Sequence, residues 1–251
     1  MKLALVQMHC PKGEIDANLT AIEAHIDRAV VRAVDVICFP EMSITGYINP
    51  ERQPEAVLSL ASPAIARLTA MTAGRSITVL AGLVEANAAG RPFITQVAVR
   101  SGRTIGVYRK TTIPADEAPW FDPGAGVPAF AEAAPAFAMS ICADIEEPNV
   151  FATAARNGAR IVFEAAAPGL YGEQATRDWQ AGFDWWRSEC HTKLGRYARE
   201  QGIFIAVATQ AGRTVDEDFP GGGYLFGPDG RCIVASADGS PGVLHAEIDI
   251  A

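Results

Sequence analysis

The chain has 251 residues, of which 49% are hydrophobic and 20% are charged, and its formal net charge at pH 7 is −8. These values are typical of a globular protein with a large core, and no low-complexity linker interrupts the chain, so we expect one domain over residues 1–251. The acidic balance argues against nucleic acid or an anionic membrane surface as the main partner.

The cysteines are scattered along the chain and show no C-x-x-C spacing; they are Cys10, Cys38, Cys142, Cys190 and Cys232. With no recognisable signal peptide, this pattern favours a reducing compartment in which no structural disulfide forms. The sequence also lacks a run of about 18 apolar residues, so it predicts no transmembrane helix. We therefore expect a cytoplasmic protein.

Strand-like and helix-like segments alternate along the chain. Short apolar runs predict strands over residues 2–8, 35–40, 77–85, 94–100, 104–110, 137–142, 160–164 and 203–210, with further short strands at 223–226, 231–236 and 243–249. Helical spacing of apolar residues predicts helices over residues 16–33, 62–74, 149–157 and 176–201. We expect Asn18 to cap the first helix and Ser62-Pro63 to begin the second. This order indicates a layered α/β protein with a mixed sheet system and helices packed outside.

Three of the predicted strands end at a chemically reactive residue. Glu41 follows a strand that closes with Phe39-Pro40, and Lys110 ends a later strand. Cys142 ends the apolar run that starts at Phe137. Because sites gather at the C-terminal ends of strands in layered α/β folds, we expect these side chains to meet. A cysteine nucleophile, a glutamate that accepts a proton and a lysine that stabilises an oxyanion would suffice for acyl transfer.

Each of these residues taken alone has a more ordinary interpretation. A single unpaired cysteine is most often a small buried hydrophobic residue, and a glutamate or lysine at a strand end is most often solvated. Cys142 precedes a helix-like segment, whose N-terminal amides lower the pKa of a nearby thiol, so we expect it to be well placed to ionise. The four histidines lie outside these motifs, which argues against a papain-like Cys–His pair, although the sequence leaves His191 open.

The motifs around these residues resemble those of the nitrilase superfamily, the carbon–nitrogen hydrolases. The glutamate motif is matched by Phe39-Pro40-Glu41 with Gly46-Tyr47, and the lysine motif by Tyr108-Arg109-Lys110. Glu117 matches the second glutamate, with Phe121 and Gly124 as the expected ending. Ile141-Cys142-Ala143-Asp144 with Pro148 matches the cysteine motif. The motifs occur in the family's order, and the resemblance covers essentially the whole chain.

The resemblance implies an α-β-β-α sandwich, paired into homodimers or larger homo-oligomers by helices near the cysteine. It also implies that Glu41 deprotonates Cys142, whose thiolate attacks an amide carbon and passes through a thioester. Lys110 and the backbone N–H of Ala143 would hold the oxyanion, and Glu117 would orient Lys110 and the attacking water. No metal or organic cofactor is required. On the same resemblance, Tyr47, Trp120, Phe121 and residues near Ala166 are expected to border the substrate pocket.

Two segments depart from the family's pattern. After the cysteine, Glu146 and Asn149 stand where an arginine and a glutamate are common. The segment that begins at Glu164 lacks the proline and the small polar residue that family members commonly have near the pocket. Substrate specificity therefore cannot be transferred from the family to this chain. Trp179, Trp185 and Trp186 could cap the pocket, but an aromatic stripe on a long helix more often belongs to the core or to a subunit interface.

The leading interpretation is an amidase that acts on a small linear amide. An N-carbamoyl amide hydrolase would use the same residues, and a nitrilase is less favoured because that branch often places Trp-Glu after the nucleophile. A non-catalytic binding or scaffold protein would not need all four of Glu41, Lys110, Glu117 and Cys142. Acyl transfer to an amine is a further alternative, but the membrane-bound acyltransferases of this superfamily carry transmembrane helices.

Overall fold

Two β-sheets stacked face to face form the centre of the fold, and helices cover both outer surfaces, as the predicted α-β-β-α sandwich requires. The computed structural model describes residues 1–132, 135–170, 174–214 and 216–250. The strands in chain order are β1 (Lys2–Gln7), β2 (Val36–Cys38), β3 (Thr78–Glu85), β4 (Phe93–Arg100), β5 (Arg103–Arg109), β6 (Phe137–Ile141), β7 (Ile161–Ala166), β8 (Phe204–Thr209), β9 (Ala211–Arg213), β10 (Asp218–Pro220), β11 (Gly223–Phe226), β12 (Cys232–Ala235) and β13 (Gly242–Glu247).

The two large sheets are both mixed. The first has the order β13-β1-β2-β3-β4-β5, in which β1, β2 and β3 run parallel and the outer pairs run antiparallel. The second has the order β12-β11-β8-β7-β6, in which β6, β7 and β8 run parallel. Strands β9 and β10 form a separate hairpin. Because the central strands are covered on both faces, they appear in the sequence as continuous apolar runs rather than as alternating patterns.

The helices form one outer layer on each sheet. They are α1 (Ile15–Val31), α2 (Pro63–Ala70), α3 (Pro148–Arg156), α4 (Trp179–Glu189) and α5 (Gly195–Gln201), with a π-helical segment, Cys190–Leu194, between the last two. Helices α1 and α2 pack on the first sheet, and α3, α4 and α5 pack on the second. Between α3 and α5, Phe151 stacks on Tyr197 with ring centres 4.9 Å apart.

The predicted N-cap of α1 is wrong. The N-cap position belongs to Glu14, and Asn18 lies inside the helix, where it is buried. Its side-chain amide donates to the carbonyl oxygens of Pro11, at 2.9 Å, and Ile44, at 3.0 Å. From inside the helix, Asn18 supplies a donor to the Ile44 carbonyl and a second donor to the Pro11 carbonyl, which also accepts from the Glu14 N–H. Asn18 therefore ties two site-bearing loops to α1.

The long helix predicted over residues 176–201 is interrupted. Asp178 caps α4, since its carboxylate accepts a hydrogen bond from the backbone N–H of Ala181 at 2.9 Å. The π-helical segment then shifts the register before α5 ends at Gly202, which has the left-handed φ of 64° that suits glycine. Within the described residues no helix has the length and apolar character needed to cross a bilayer. None of the five cysteines forms a disulfide.

Candidate active site

The ends of strands from both sheets bring the four predicted catalytic residues together. Glu41 comes three residues after β2, Lys110 directly after β5, and Cys142 directly after β6. Glu117 lies in the loop that follows Lys110. The Lys110 ammonium nitrogen is 3.0 Å from Glu41 Oε1 and 2.7 Å from Glu117 Oε2, and only 1% of its side chain is exposed. The structure thus contains one buried cation held between two carboxylates.

Burial and charge shift the pKa values of this group strongly. Burial raises the pKa of Glu41 to about 7, against the opposing effect of the Lys110 ammonium. Burial by itself would lower the pKa of Lys110, but the carboxylates of Glu41 and Glu117 outweigh it and raise that pKa well above its ordinary range. Lys110 therefore stays protonated, and Glu41 can gain or lose a proton close to neutral pH.

The nucleophile candidate stands at a strained turn between β6 and a short 3₁₀ helix, Cys142–Glu146. Its φ of 44° lies in the left-handed region, which is rare for a residue with a side chain. The expectation that this thiol is already disposed to ionise is wrong. Burial, reinforced by the carboxylate of Glu41, raises the pKa of Cys142 well above that of a free thiol, although Lys110 opposes the shift. The thiol is neutral until a base removes its proton.

Asp144 holds this turn in place. Its carboxylate accepts hydrogen bonds from the backbone N–H of Ile141 at 2.9 Å and from the Tyr108 hydroxyl at 2.6 Å. It also accepts from the Thr111 hydroxyl and the Thr112 backbone N–H, both at 2.9 Å. These donors lie on both sides of Lys110 and just before Cys142, so one buried side chain links the lysine loop to the nucleophile turn. The sequence showed Asp144 only as part of a motif.

Glu41 is held by backbone groups as well as by Lys110. The backbone N–H of Ala167, which follows β7, donates to Glu41 Oε2 at 3.0 Å. The next residue, Met42, has a left-handed φ of 51°. Its backbone crosses β3 so closely that a Cβ atom on Gly82 would lie 2.4 Å from Met42 N, which leaves room only for glycine. The Ala167 contact joins positions 126 residues apart, and no local pattern indicates it.

A cavity of about 270 Å³ opens beside Glu117. Three of the predicted pocket residues line it: Tyr47, Trp120 and Phe121. The Tyr47 hydroxyl donates a hydrogen bond to Glu117 Oε1, on the side of that carboxylate away from Lys110. Of the four predicted catalytic residues, Glu117 is the one that lines this cavity.

Ala143 and Ala166 are not among the described residues that line this cavity. Ala143 follows Cys142 in the 3₁₀ helix and is partly exposed. Ala166 ends β7 in register with Thr209, whose hydroxyl accepts a hydrogen bond from the Trp186 indole at 2.9 Å. Since register partners in a parallel sheet share a face, the Ala166 side chain points toward the helical layer. A substrate contact at either alanine stays a prediction, most simply through the backbone.

The tryptophan segment packs mainly on the β9–β10 hairpin, and Trp186 also reaches the end of β8. Trp186 is buried, and its indole N–H donates a hydrogen bond to the Thr209 hydroxyl. The Arg213 guanidinium lies 5.7 Å from the Trp179 ring centre. Trp185 is 49% exposed on α4. His191, in the π-helical segment, contacts the rings of the sheet residues Tyr224 and Phe226 edge-on. In the part of the chain that the structure describes, no group of three or more His, Cys, Asp or Glu residues is arranged to hold a metal ion.

The departures near Cys142 have partners of their own. The carboxylate of Glu146 binds the Lys193 ammonium at 2.6 and 2.7 Å, which connects the 3₁₀ helix to the π-helical segment. Asn149 lies in the first turn of α3, where its backbone N–H donates to the capping carboxylate of Glu147 at 3.2 Å. These residues therefore fasten the nucleophile turn to the outer helices.

Sequence reasoning missed the role of a further buried carboxyl group, Glu164. It lies on β7 opposite Ser140 of β6, whose hydroxyl donates to it, and it is fully buried. Its Oε1 has no hydrogen-bond partner among the described residues. Burial outweighs the bond from Ser140 and raises the pKa of Glu164 well above its usual range, with repulsion from Asp144 and Glu41 acting in the same direction. Glu164 therefore favours its protonated form, on the strand next to β6.

We expect Glu164→Gln to stabilise the protein at neutral pH. The native state holds a proton that the unfolded chain releases near the ordinary pKa of about 4.3, so stability falls as pH rises above that value. Glutamine has a similar shape and needs no proton. The melting temperature of the variant relative to the parent should therefore rise between about pH 5 and about pH 8. Thermal unfolding across this range, with the exposed Glu51→Gln as control, measures the effect; a constant difference would contradict it.

The α-β-β-α sandwich has Cys142 and Lys110 directly after strands and Glu41 and Glu117 in the loops beside them. This arrangement is the one expected of the class that the sequence motifs resemble. The comparisons with known proteins agree with this class. The carbon–nitrogen hydrolase family model matches residues 2–251. The chain therefore belongs to the carbon–nitrogen hydrolase family and is a carbon–nitrogen hydrolase enzyme.

Individual relatives are distant. The chain is 23% identical to the glutamine-dependent NAD(+) synthetase of Acinetobacter baylyi, over 99% of this chain but only 44% of that protein. It is 24% identical to the N-carbamoylputrescine amidase of Arabidopsis thaliana, over 98% of this chain and 85% of that one. A crystal structure of an amidase from Nesterenkonia sp. superposes with a TM-score of 0.84 at 24% identity, covering 99% of this chain and 90% of the amidase. That likeness shows the fold.

Proposed function

We propose that this hydrolase cleaves the C–N bond of a small linear amide, with Cys142 as nucleophile, and releases ammonia or an amine and a carboxylic acid. The observation that carries the proposal is the buried Lys110, bonded to Glu41 and Glu117 beside the thiol of Cys142, a half-buried residue on a strained turn. A base with a pKa of about 7 next to a neutral thiol is what attack on an amide needs.

In the proposed mechanism, Glu41 takes the thiol proton as the sulfur of Cys142 bonds to the amide carbon. The carbonyl oxygen becomes an oxyanion, which the Lys110 ammonium and the backbone N–H of Ala143 stabilise. Glu41 returns the proton to the nitrogen, the C–N bond breaks, and a thioester stays on Cys142. Water, positioned by Glu117 and deprotonated by Glu41, then attacks the thioester carbon. The C–S bond breaks, the carboxylic acid leaves, and Glu41 returns its proton to the sulfur of Cys142.

The relatives support an amide more strongly than other substrates. Structures of the Nesterenkonia amidase contain butyramide, or carry acrylamide or the acetamide moiety of fluoroacetamide on the active-site cysteine. N-carbamoyl amide hydrolysis is the second candidate, because the Arabidopsis relative is an N-carbamoylputrescine amidase. A nitrile is a third, since a probable nitrilase of Schizosaccharomyces pombe is 23% identical. A binding-only role is disfavoured because a buried Lys110 with two carboxylates is costly to keep without a use.

Ammonia release from matched panels of short aliphatic amides, N-carbamoyl amino acids and nitriles tests the proposal. We expect turnover of the amides and none with Cys142→Ala, which leaves the rest of the site in place. Intact-mass spectrometry of the parent enzyme during turnover should detect the acyl adduct on Cys142. Turnover that survives in Cys142→Ala, or a panel on which only nitriles react, would contradict it.

We also propose that the enzyme works as a homodimer or larger homo-oligomer in a reducing compartment such as the cytoplasm. The exposed Trp185 on α4, in the helical layer nearest Cys142, and the five unpaired thiols support this. Light scattering on the eluting protein, compared between the parent and Trp185→Ala, measures the assembly.

A further inference from the structure

The cavity beside Glu117 has an unusually charged wall, and we call it the vestibule. Its charged and aromatic lining includes Lys12, Arg52, Asp116, Trp120, Asp216 and Glu217. These residues come from four separate loops that meet around the cavity. At about 270 Å³ it is below the roughly 300–1,000 Å³ of pockets for drug-sized ligands, which suits a small substrate.

Most of the vestibule's charges are already engaged within the protein. The Lys12 ammonium binds the carboxylates of Asp216, at 2.8 Å, and Glu217, at 2.9 Å. The carboxylate of Glu117 is taken up by Lys110 and by the Tyr47 hydroxyl. The charge of each of these groups is therefore already compensated by a partner within the protein.

Arg52 differs from these groups. Across residues 1–132, 135–170, 174–214 and 216–250, its guanidinium makes no hydrogen bond and no ion pair. Its backbone is nevertheless held, because the Arg52 N–H donates to the Asn49 side chain at 3.3 Å and to the Asn49 carbonyl at 3.1 Å. A guanidinium on an anchored turn, at the rim of a small cavity that Glu117 also lines, is an available donor for an anion.

We infer that the vestibule selects amides that carry a carboxylate at the end remote from the scissile bond, and that Arg52 binds this carboxylate. The inference rests on the proposed function. A guanidinium and a carboxylate form paired, charge-assisted hydrogen bonds, which fix orientation as well as affinity. The Trp120 ring supplies an apolar wall for the methylene groups that separate the two ends of such a substrate.

The cluster of Lys12, Asp216 and Glu217 carries more negative than positive charge, so a cationic substrate is the main alternative to an anionic one. Two carboxylates face one ammonium there, whereas the guanidinium of Arg52 has no carboxylate partner among the described residues. A substrate anion therefore gains a new partner at Arg52. A substrate ammonium would have to share these two carboxylates with Lys12, and the remaining acid of the lining, Asp116, also has a partner of its own.

Three amides of equal chain length separate these possibilities: the monoamide of glutaric acid (anionic), pentanamide (neutral) and 4-aminobutanamide (cationic). We expect kcat/KM to be about tenfold or more higher for the anionic amide than for pentanamide, as a charge-assisted hydrogen bond would provide. Arg52→Gln should remove this preference through KM while leaving pentanamide turnover unchanged. Arg52→Lys should retain part of it, and Arg28→Gln, on the outer surface of α1, should change nothing.

Binding to the Cys142→Ala protein keeps this inference separate from the proposed function. Calorimetric titration with the glutaric monoamide should show affinity that Arg52→Gln, added to Cys142→Ala, weakens about tenfold. If the parent hydrolyses all three amides equally, or prefers 4-aminobutanamide, the inference is overturned and the proposed function stands. If no amide is hydrolysed, the proposed function fails, and the titration alone decides: Arg52-dependent binding supports the inference and its absence overturns it.

Discussion

Lys110→Met should abolish hydrolysis and lower the free energy of unfolding by about 3–5 kcal/mol, the cost of leaving buried charges without their partner. Lys110 is almost completely buried and bonds to both Glu41 and Glu117. Methionine fills a similar volume but provides no charge, so two buried carboxylates would face each other. Urea unfolding at neutral pH measures the change in stability, and ammonia release measures the loss of activity.

A matched lysine supplies the control. Lys193 also contacts two carboxylates, those of Glu146 and Glu189, but it lies near the surface with a quarter of its side chain exposed. Lys193→Met should therefore cost no more than about 1 kcal/mol. Neutralising the acids in the triple variant Lys110→Met, Glu41→Gln, Glu117→Gln should recover much of the lost stability without restoring activity. A stable or active Lys110→Met protein would contradict the role assigned to the buried cation.

Glu41→Gln should lower kcat by about 10²–10⁴-fold, the usual contribution of a general base, with little loss of stability. Glutamine can still accept the hydrogen bond from Ala167, but it cannot take the proton of Cys142. In the parent enzyme the pKa of Glu41 is raised to about 7, so activity should increase as pH rises through about 7 and Glu41 becomes the base. The residual activity of Glu41→Gln should lack this acidic limb.

Two further observations make this prediction specific. Glu164→Gln makes the same substitution at another buried glutamate near the strand ends, and it should keep the acidic limb and most of the activity. A thiol reagent should still label Cys142 in Glu41→Gln, because removing the carboxylate removes one of the charges that raise the pKa of the thiol. Loss of labelling would mean that the substitution had damaged the site rather than removed a base.

Several features of this protein could be predicted because they depend on neighbouring residues. A strand that is covered on both faces appears as a continuous apolar run. A charged or reactive residue just after it must lie where the strands of the sheet end. That argument located Glu41, Lys110 and Cys142. The helix start at Ser62-Pro63 was confirmed for the same reason: α2 begins at Pro63, whose fixed φ suits the first helical position, although the Ser62 side chain makes no capping bond.

Features that depend on residues far apart in the sequence could be seen only in the folded structure. Asparagine often caps helices, yet Asn18 lies inside α1, where its side chain donates hydrogen bonds to the carbonyls of Pro11 and Ile44. A cysteine before a helix appears acidic from its surroundings in sequence, but burial next to Glu41 raises its pKa instead.

Local patterns are enough to show which residues stand at strand ends and therefore which chemical groups the site can use. How these groups behave depends on the folded chain, which brings the Ala167 N–H to Glu41, buries Glu164 opposite Ser140, and leaves the guanidinium of Arg52 at the rim of the vestibule. The physical reason is that periodicity and capping act over a few residues, whereas desolvation and charge pairing depend on everything packed nearby, however far away it lies along the chain.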